Sequence, residues 1–150
     1  MGELQITTLG VEAMPLLRFK TGDMVQAYNE PCNCGRNTLR LGPVVGRKKQ
    51  MIKYKGTTLY PPAMYNILND FSKIESYVIE IFHNELGTDE ILIKITSEEM
   101  SAELLLEIKD HFRAKLRVAP KIEFATSKEI EALRFPPLSR KPVDLIDRRL

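Results

Sequence analysis

The sequence predicts an α+β protein in which a β-rich segment, residues 1–45, precedes a small βαββαβ domain of the ferredoxin-like type, residues 46–150. Two observations give this prediction. The first 45 residues consist of strand and loop patterns, whereas from Met51 onwards strand patterns alternate with two segments that carry apolar residues at helical spacing. That order is the split βαβ arrangement, with a four-stranded antiparallel sheet and two helices on one face.

The composition indicates a soluble globular protein of 150 residues with a net charge of +2. The chain is long enough to bury one core. No apolar run is long enough to span a bilayer, and the first residues lack the pattern of a secretory signal, so a cytoplasmic location and no membrane partner are expected. The small net charge gives no argument for a nucleic-acid partner.

The β-rich segment is predicted to contain three strands, at residues 3–9, 24–28 and 39–45, with Gly22 turning the chain between the first two. Residues 29–38 are rich in Pro, Asn, Cys and Gly and should form a loop. Because 45 residues of strand and loop are too few for an independent core, this segment is expected to depend on other protein surface.

The small domain begins with residues 51–59, a strand or tight hairpin broken at Gly56. A first helix follows, because Pro61 and Pro62 suit a first helical turn and apolar residues recur at helical spacing up to about Phe71.

A hairpin formed by residues 77–82 and 91–95 comes next, since the segment between them is rich in turn residues. Thr96 and Glu99 have the spacing of a capping box for a second helix, which ends before Pro120. Residues 122–125 give the last strand. A capping box at Thr126 and Glu129 then predicts a short third helix, which Pro136 and Pro137 stop before a basic tail.

Two segments are candidates for the halves of a nucleotide site. Asp23 follows a Thr-Gly turn, and its carboxylate can accept two hydrogen bonds from a vicinal diol such as ribose. The alternative is a turn aspartate that caps its own backbone. Downstream, five of the nine residues from Arg47 to Lys55 are basic. Lys53 and Lys55 would share one face of a strand and could bind one anion together, or could simply protect a sheet edge from aggregation.

Two further features could carry chemistry. Lys141, in the Pro-rich tail, is either a solvated charge or a mobile cation delivered to a phosphoryl centre. Cys32 and Cys34 are too close in sequence for a useful disulfide and should be reduced thiols. They could donate two ligands to zinc, but a closed site needs four, and His83 and His111 are isolated, so no metal site is predicted beyond that option.

Four segments resemble the adenylate-forming acyl-CoA ligase superfamily, and most closely its phenylacetate-coenzyme A ligase branch. Residues 2–23, which end in Arg-Phe-Lys-Thr-Gly-Asp, resemble that branch's ribose-binding motif, and Glu-Pro-Cys-Asn-Cys-Gly-Arg at residues 30–36 is similar to its cysteine-bearing loop. Residues 46–56 resemble the hinge motif of the superfamily. Gly-Thr-Thr-Leu-Tyr-Pro at residues 56–61 is similar to the continuation into the small C-terminal domain.

The resemblance implies a role for each matched residue. Asp23 would bind the ribose hydroxyls, Arg47 would contact the ribose or a phosphate, and Lys49 would be the hinge. The loop that carries Lys53 would be presented for thioester formation after the small domain rotates.

The tail resembles the closing Lys-x5-Asp-x-Arg pattern of the family, with Lys141, Asp147 and Arg149 at the matching positions. That lysine would bridge the substrate carboxylate and the α-phosphate during adenylation. The chain departs from the pattern at two places, with Arg140 where glycine is usual and Asp144 where a basic residue is common.

The implied reaction has two steps and belongs to the catabolism of phenylacetate-like acids. ATP and an aryl carboxylic acid give an acyl adenylate, and the thiol of coenzyme A then displaces AMP. The phosphate loop, the Mg²⁺ ligands and the aryl pocket would lie in a large N-terminal domain. This chain is therefore expected to be a C-terminal fragment that is inactive alone, with residues 1–45 docked on a second copy, in a homodimer, or on the small domain.

A second function class is a free-standing βαββαβ module that binds RNA or a small anion through the basic residues 47–55. Such a module normally stacks bases on aromatic residues of its sheet, for which Tyr54, Tyr77 and Phe82 are available. A small regulatory domain that binds a metabolite at a dimer interface is a third class, without positive support in the sequence.

Overall fold

The computed structural model describes residues 1–137 and 141–149 and divides the chain into two compact units, Met1–Met51 and Ile52–Leu150. The expected boundary between segments, after residue 45, falls within a strand of the first unit. In the described residues no helix is both long and apolar enough to cross a lipid bilayer.

Unit 1 is a three-stranded antiparallel sheet in the order β1-β2-β3, formed by β1 (Gly2–Ile6), β2 (Phe19–Tyr28) and β3 (Arg40–Arg47). Gly22 does not turn the chain between two strands, as the sequence predicted, because it lies inside β2. The connection is made by residues 7–18, where the Thr8 N–H donates to the Leu16 carbonyl at 3.0 Å. A one-turn 3₁₀ helix, Lys48–Gln50, follows β3.

Unit 1 has almost no core of its own. Val25 is its only buried hydrophobic residue, and nine of the thirteen large hydrophobic side chains that are exposed in the described chain belong to this unit. This agrees with the expectation that the segment is too small to bury a core. The nine exposed residues are Met1, Leu9, Val11, Met14, Leu17, Phe19, Leu39, Leu41 and Val44.

Unit 2 contains the helices and two further sheets. Its elements in chain order are β4 (Ile52–Tyr54), β5 (Thr57–Leu59), α1 (Pro61–Asn69), β6 (Ser76–His83), β7 (Asp89–Thr96), α2 (Ala102–Leu116), β8 (Lys121–Phe124), α3 (Ser127–Arg134) and β9 (Leu145–Asp147). The α+β class and the predicted order of strands and helices are confirmed, and the structure adds β9 in the tail.

The main sheet differs from the prediction in one strand and in strand direction. Its order is β8-β7-β6-β9, with β6 and β7 antiparallel and both outer strands parallel to their neighbours, so the sheet is mixed. The segment predicted as its first strand, residues 51–59, instead forms the separate two-stranded sheet β4-β5. Its place is taken by β9, whose three residues pair with β6.

The core of unit 2 lies between one face of the main sheet and the helices α1 and α2. Side chains alternate between the two faces of a strand, so Ile79 and Ile81 face this core together with Ile93 and Ile95 of the neighbouring strand. Helix α3 contacts β6 and β7, and its buried Ile130 lies outside this core cluster.

The predicted capping box for α2 is wrong. Thr96 is the last residue of β7 and pairs with Ser76, so its backbone is extended by the sheet and cannot begin a helix. The cap is Ser101, whose hydroxyl accepts a hydrogen bond from the Leu104 N–H at 3.2 Å. Glu99 contacts Lys73 at 2.8 Å instead.

The predicted capping box of α3 is confirmed. The Thr126 hydroxyl accepts from the Glu129 N–H at 3.3 Å, and the Glu129 carboxylate accepts from the Thr126 N–H at 2.8 Å. The hydrogen bond from that N–H lowers the pKa of Glu129, because it favours the charged carboxylate.

Candidate functional site

Asp23 lies in an irregular part of β2. Between Lys20 and Met24, three residues of β2 face a single residue of β1, so the strand bulges, and Gly22 has a φ of 80° there. A side chain cannot easily adopt this left-handed conformation, which explains the glycine. Bulges of this kind re-aim a side chain and are common beside functional sites.

The carboxylate of Asp23 is not used to cap its own turn. The hydroxyl of Thr21 accepts the hydrogen bond from the Asp23 N–H at 3.0 Å, and it donates to the Leu4 carbonyl at 3.2 Å. The carboxylate contacts a guanidinium instead. Arg47 is the residue opposite Asp23 on β3, and its Nε lies 3.7 Å from the Asp23 Oδ1.

This pair can be opened by a ligand at small cost. The Arg47 side chain is 73% exposed and that of Asp23 is 29% exposed. A long, solvated ion pair contributes at most about 1 kcal/mol. An acceptor of diol hydrogen bonds and a donor to phosphate thus stand side by side on the sheet of unit 1, and both can still accept new partners.

The basic residues 47–55 do not form one exposed loop, as the sequence suggested. Lys48 contacts the Glu3 carboxylate at 2.9 Å, and Lys49 is exposed in the one-turn 3₁₀ helix. Arg47 ends β3, and the other two, Lys53 and Lys55, belong to β4 and the turn after it. These cations are therefore spread over several local structures.

Lys53 and Lys55 do not share a strand face. Ile52 and Tyr54 of β4 are buried and Lys53 between them is exposed, as alternation requires. Lys55 and Gly56 form the turn and have φ angles of 47° and 79°, the positive values of a type I′ hairpin. The Lys55 ammonium lies 5.0 Å from the centre of the Tyr54 ring.

Lys141 is exposed and lies four residues before β9. Arg140, one of the two departures from the family pattern, lies outside the described residues. Asp144, the other departure, has a structural role. Its backbone carbonyl accepts from the Ile79 N–H at 2.9 Å, and its carboxylate pairs with Arg134 at 2.7 Å.

The two other residues of the tail pattern bind each other. The Arg149 guanidinium donates from Nε and Nη2 to the two oxygens of Asp147, at 2.8 and 2.6 Å. These hydrogen bonds hold the pKa of Asp147 below its ordinary value. Asp147 and Arg149 thus help to fix the strand that follows Lys141.

The two cysteines lie close together in the loop after β2. Their Sγ atoms are 3.0 Å apart, and the hydrogen bond with the Cys32 thiol lowers the pKa of Cys34. Both are free thiols. In residues 1–137 and 141–149 no group of three or more His, Cys, Asp or Glu side chains is placed to hold a metal ion.

One residue that the sequence did not single out is Asp89, at the start of β7. It accepts hydrogen bonds from the Lys53 backbone N–H and from Arg149, which are 36 and 60 residues away in the chain. Contacts at such separation leave no local signal in a sequence, where Asp89 reads only as a turn residue.

Comparison with known proteins supports the same family as the motifs. The chain is 32% identical over 147 residues to the phenylacetate-coenzyme A ligase of Thermus thermophilus, a match that covers 91% of the chain and 33% of the relative. A second such ligase, from Aromatoleum evansii, is 24% identical over 99% of the chain and 34% of its own length. The chain therefore spans about a third of these relatives. No protein-family model matches it.

A solved structure agrees with these sequence matches. The 2-hydroxyisobutyryl-CoA ligase in its postadenylation state, in complex with R3-HIB-AMP, matches 90% of the chain and 29% of its own chain, with 25% identity and a TM-score of 0.63. The same ligase with 2-HIB-AMP and CoA in the thioesterification state gives 26% identity and a TM-score of 0.53. These matches confirm the resemblance to the phenylacetate-coenzyme A ligase family.

Proposed function

We propose that this chain, a relative of the phenylacetate-coenzyme A ligases over nearly its whole length, is the C-terminal part of an ATP-dependent aryl-acid CoA ligase. The observation that carries the proposal is the 32% identity over 147 residues to a ligase of which the chain spans one third. Residues 1–45 are then the last strands of the large AMP-binding domain, residues 46–150 the small C-terminal domain, and residues 46–50 the hinge. We place this ligase in the cytoplasm.

The surface of unit 1 supports a missing large domain. A sheet that buries one hydrophobic side chain and exposes nine lacks the packing that normally stabilises strands. Exposed apolar residues in such number fit a unit that packs against another protein body in the complete protein. A large domain continuous with these strands supplies such a body without requiring a second copy of the chain.

In the complete ligase Asp23 binds the ribose hydroxyls of ATP and Arg47 contacts the ribose or a phosphate. The support is geometric: the bulge in β2 leaves the carboxylate free of backbone capping, and the opposite residue on β3 supplies the cation. The ribose hydroxyls need a hydrogen-bond acceptor, and the phosphates need a positive charge close by.

Two lysines of unit 2 serve the two half-reactions. Lys141 bridges the acid carboxylate and the α-phosphate during adenylation, because attack of one anion on another requires a cation that stabilises the developing charge. The hairpin that carries Lys53 is presented for thioester formation once the small domain has rotated about Lys49. The related ligase solved in postadenylation and thioesterification states supports such a two-state cycle.

The described residues include candidate ligands for ATP and no group that could hold Mg²⁺. Asp23 and Arg47 suit the ribose and a phosphate, whereas no described cluster of carboxylates could hold a magnesium ion. We therefore assign the Mg²⁺ ligands to the large domain, where the ion would neutralise phosphate charge.

The RNA-binding alternative stays a prediction, and two of its three aromatic residues are poorly placed to stack on bases. Tyr54 is 2% exposed and offers no face to a base, and one face of Tyr77 is turned to Tyr65, with ring centres 6.2 Å apart. Phe82 is half-buried on β6. Lys48 and Lys55 already contact Glu3 and the Tyr54 ring.

The proposal is tested by the coding sequence upstream and by nucleotide binding. We expect a Gly/Ser/Thr-rich phosphate loop about 200 residues before Met1, as the motif order of the family requires. Titration of ATP into the isolated chain should show weak or no binding, whereas the complete protein binds ATP. Tight ATP binding by the isolated chain, or an unrelated upstream sequence, would contradict the proposal.

A further inference from the structure

The Asp89 carboxylate joins three segments of unit 2. Its side chain is 9% exposed. Its Oδ2 accepts one hydrogen bond from the Lys53 backbone N–H at 2.8 Å and another from Nη1 of Arg149 at 2.9 Å. Its Oδ1 lies 3.3 Å from Nδ1 of His83, which is directly opposite on β6. The β4–β5 hairpin, the end of the β6–β7 hairpin and the residues after β9 thus meet at the Asp89 side chain.

The β4–β5 hairpin needs such an anchor. It has three residues in each strand and forms a sheet of its own, and isolated two-stranded hairpins are only marginally stable. Ile52 and Tyr54 hold its inner face in the core, and the Tyr54 hydroxyl donates to the Ala119 carbonyl at 3.2 Å. The Asp89 bond fixes the backbone at Lys53, the residue whose side chain is exposed.

Strand β9 is equally short and lies at the edge of the main sheet. Two arginines that follow it hold it to different partners. Nε of Arg148 donates to the Glu80 carboxylate at 2.7 Å, whereas Arg149, 13% exposed, lies between Asp147 and Asp89. Arg149 therefore binds Asp89, the carboxylate that accepts from the Lys53 N–H, and Arg148 does not.

We propose that Asp89 is a positioning residue that couples the backbone of Lys53 to the docking of the C-terminal strand. A carboxylate with little solvent access keeps its position only while its charge is compensated. When Arg149 leaves, the Asp89 carboxylate turns towards water and releases the Lys53 N–H. The benefit of this coupling rests on the proposed function. The coupling keeps the hairpin that carries Lys53 and the strand that follows Lys141 in one rigid body, so that both cations move together between the half-reactions.

Amide hydrogen exchange of the 150-residue chain, followed by NMR, tests the coupling. We compare Arg149→Gln with the matched control Arg148→Gln, which removes the other arginine contact of the same strand. In Arg149→Gln the protection of the Lys53 amide, relative to the amides of β7, should fall about tenfold or more, as expected for loss of a hydrogen bond to a charged group. In Arg148→Gln this ratio should stay within about twofold of the wild type, and Arg149→Lys should recover part of the protection.

A further variant, Asp89→Asn, tests the coupling in the other direction. It keeps an oxygen for the Lys53 N–H but loses the charge that attracts Arg149. The Arg148 amide, which donates to the Ile81 carbonyl at 2.8 Å, should then lose protection relative to β7. The proposal is overturned if the Lys53 ratio is unchanged in Arg149→Gln, if it falls equally in Arg148→Gln, or if Asp89→Asn leaves β9 protected. These measurements need no substrate, so their failure would not affect the ligase assignment, and a ligase assay that fails would not affect them.

Discussion

Arg47 lies directly opposite Asp23 across the β2–β3 pair, with its Nε 3.7 Å from the Asp23 Oδ1. β2 bulges at this point, and the Thr21 hydroxyl, not the Asp23 carboxylate, accepts the hydrogen bond from the local backbone N–H. An acid and a guanidinium on paired strands, bound only weakly to each other, are the acceptor and donor that the proposed function assigns to a nucleotide.

Asp23→Asn should weaken the use of ATP without unfolding the protein. We expect kcat/KM for ATP in the complete ligase to fall about 10- to 100-fold, because charged hydrogen bonds to the ribose are lost. Stability, measured by urea unfolding, should change by less than about 1 kcal/mol, since the Arg47 pair is exposed. The matched control is Glu30→Gln, which removes a carboxylate 3.7 Å from Arg40 in the same unit and should leave kcat/KM unchanged. Equal losses of kcat/KM in Asp23→Asn and Glu30→Gln would show that Asp23 does not bind the ribose.

Lys141→Ala and Lys53→Ala should separate the two half-reactions of the complete ligase. Lys141→Ala should lower acid-dependent pyrophosphate release by about 100-fold or more, as loss of transition-state charge stabilisation does, and spare thioester formation from a preformed adenylate. Lys53→Ala should show the opposite pattern. Lys128→Ala, an exposed lysine of α3, serves as the control. If both variants slowed the same half-reaction, the division of labour between the lysines would be wrong.

Glu80 should make stability depend on pH in the acidic range. Burial alone raises the pKa of Glu80, but the hydrogen bonds from Lys94 and Arg148 outweigh it and bring the pKa below its ordinary value of 4.5. A carboxyl with a lowered folded pKa stabilises the fold above its unfolded pKa, and this contribution is lost as the pH falls through the folded value.

Urea unfolding from neutral pH to below about pH 4 measures this contribution. The wild type should lose stability over the interval, and Glu80→Gln should be less stable by about 2 kcal/mol at neutral pH. The Glu80→Gln variant should also lose less stability on acidification. If the free energies of unfolding of the two proteins fell in parallel with pH, another carboxylate would be responsible.

The cap of α2 should be Ser101 in solution as well. Ser101→Ala should cost about 1 kcal/mol of the free energy of unfolding, because the Leu104 N–H loses its acceptor. Thr96→Val should cost less, since the Thr96 hydroxyl makes only a 3.4 Å bond to the Ala125 carbonyl. A larger loss of unfolding free energy in Thr96→Val than in Ser101→Ala would favour Thr96 as the cap, as the sequence pattern suggested.

Local signals in the sequence predicted the elements that local contacts create. The hairpin of β6 and β7 was predicted from its flanking strand runs and turn residues, and the box at Thr126 and Glu129 from its spacing. The same spacing at Thr96 and Glu99 misled, because a threonine that ends a strand and a glutamate in the next loop produce it by chance.

Long-range contacts explain what the sequence did not predict. β9 has three residues in a Pro-rich tail and becomes a strand only because β6 offers a free edge. The partners of Asp89 come from β4 and from the end of the chain, and nothing in either segment indicates them. The motifs of the family, by contrast, are local, so Asp23, Arg47 and Lys141 could be selected as candidates from the sequence.

The product that the complete ligase forms from a phenylacetate-like aryl acid, ATP and coenzyme A decides most clearly whether the proposed function is right. We expect the aryl-CoA thioester and AMP in equal amounts, with pyrophosphate, and none of these products from residues 1–150 alone. ADP and phosphate in place of AMP and pyrophosphate, or thioester formation by residues 1–150 alone, would contradict it.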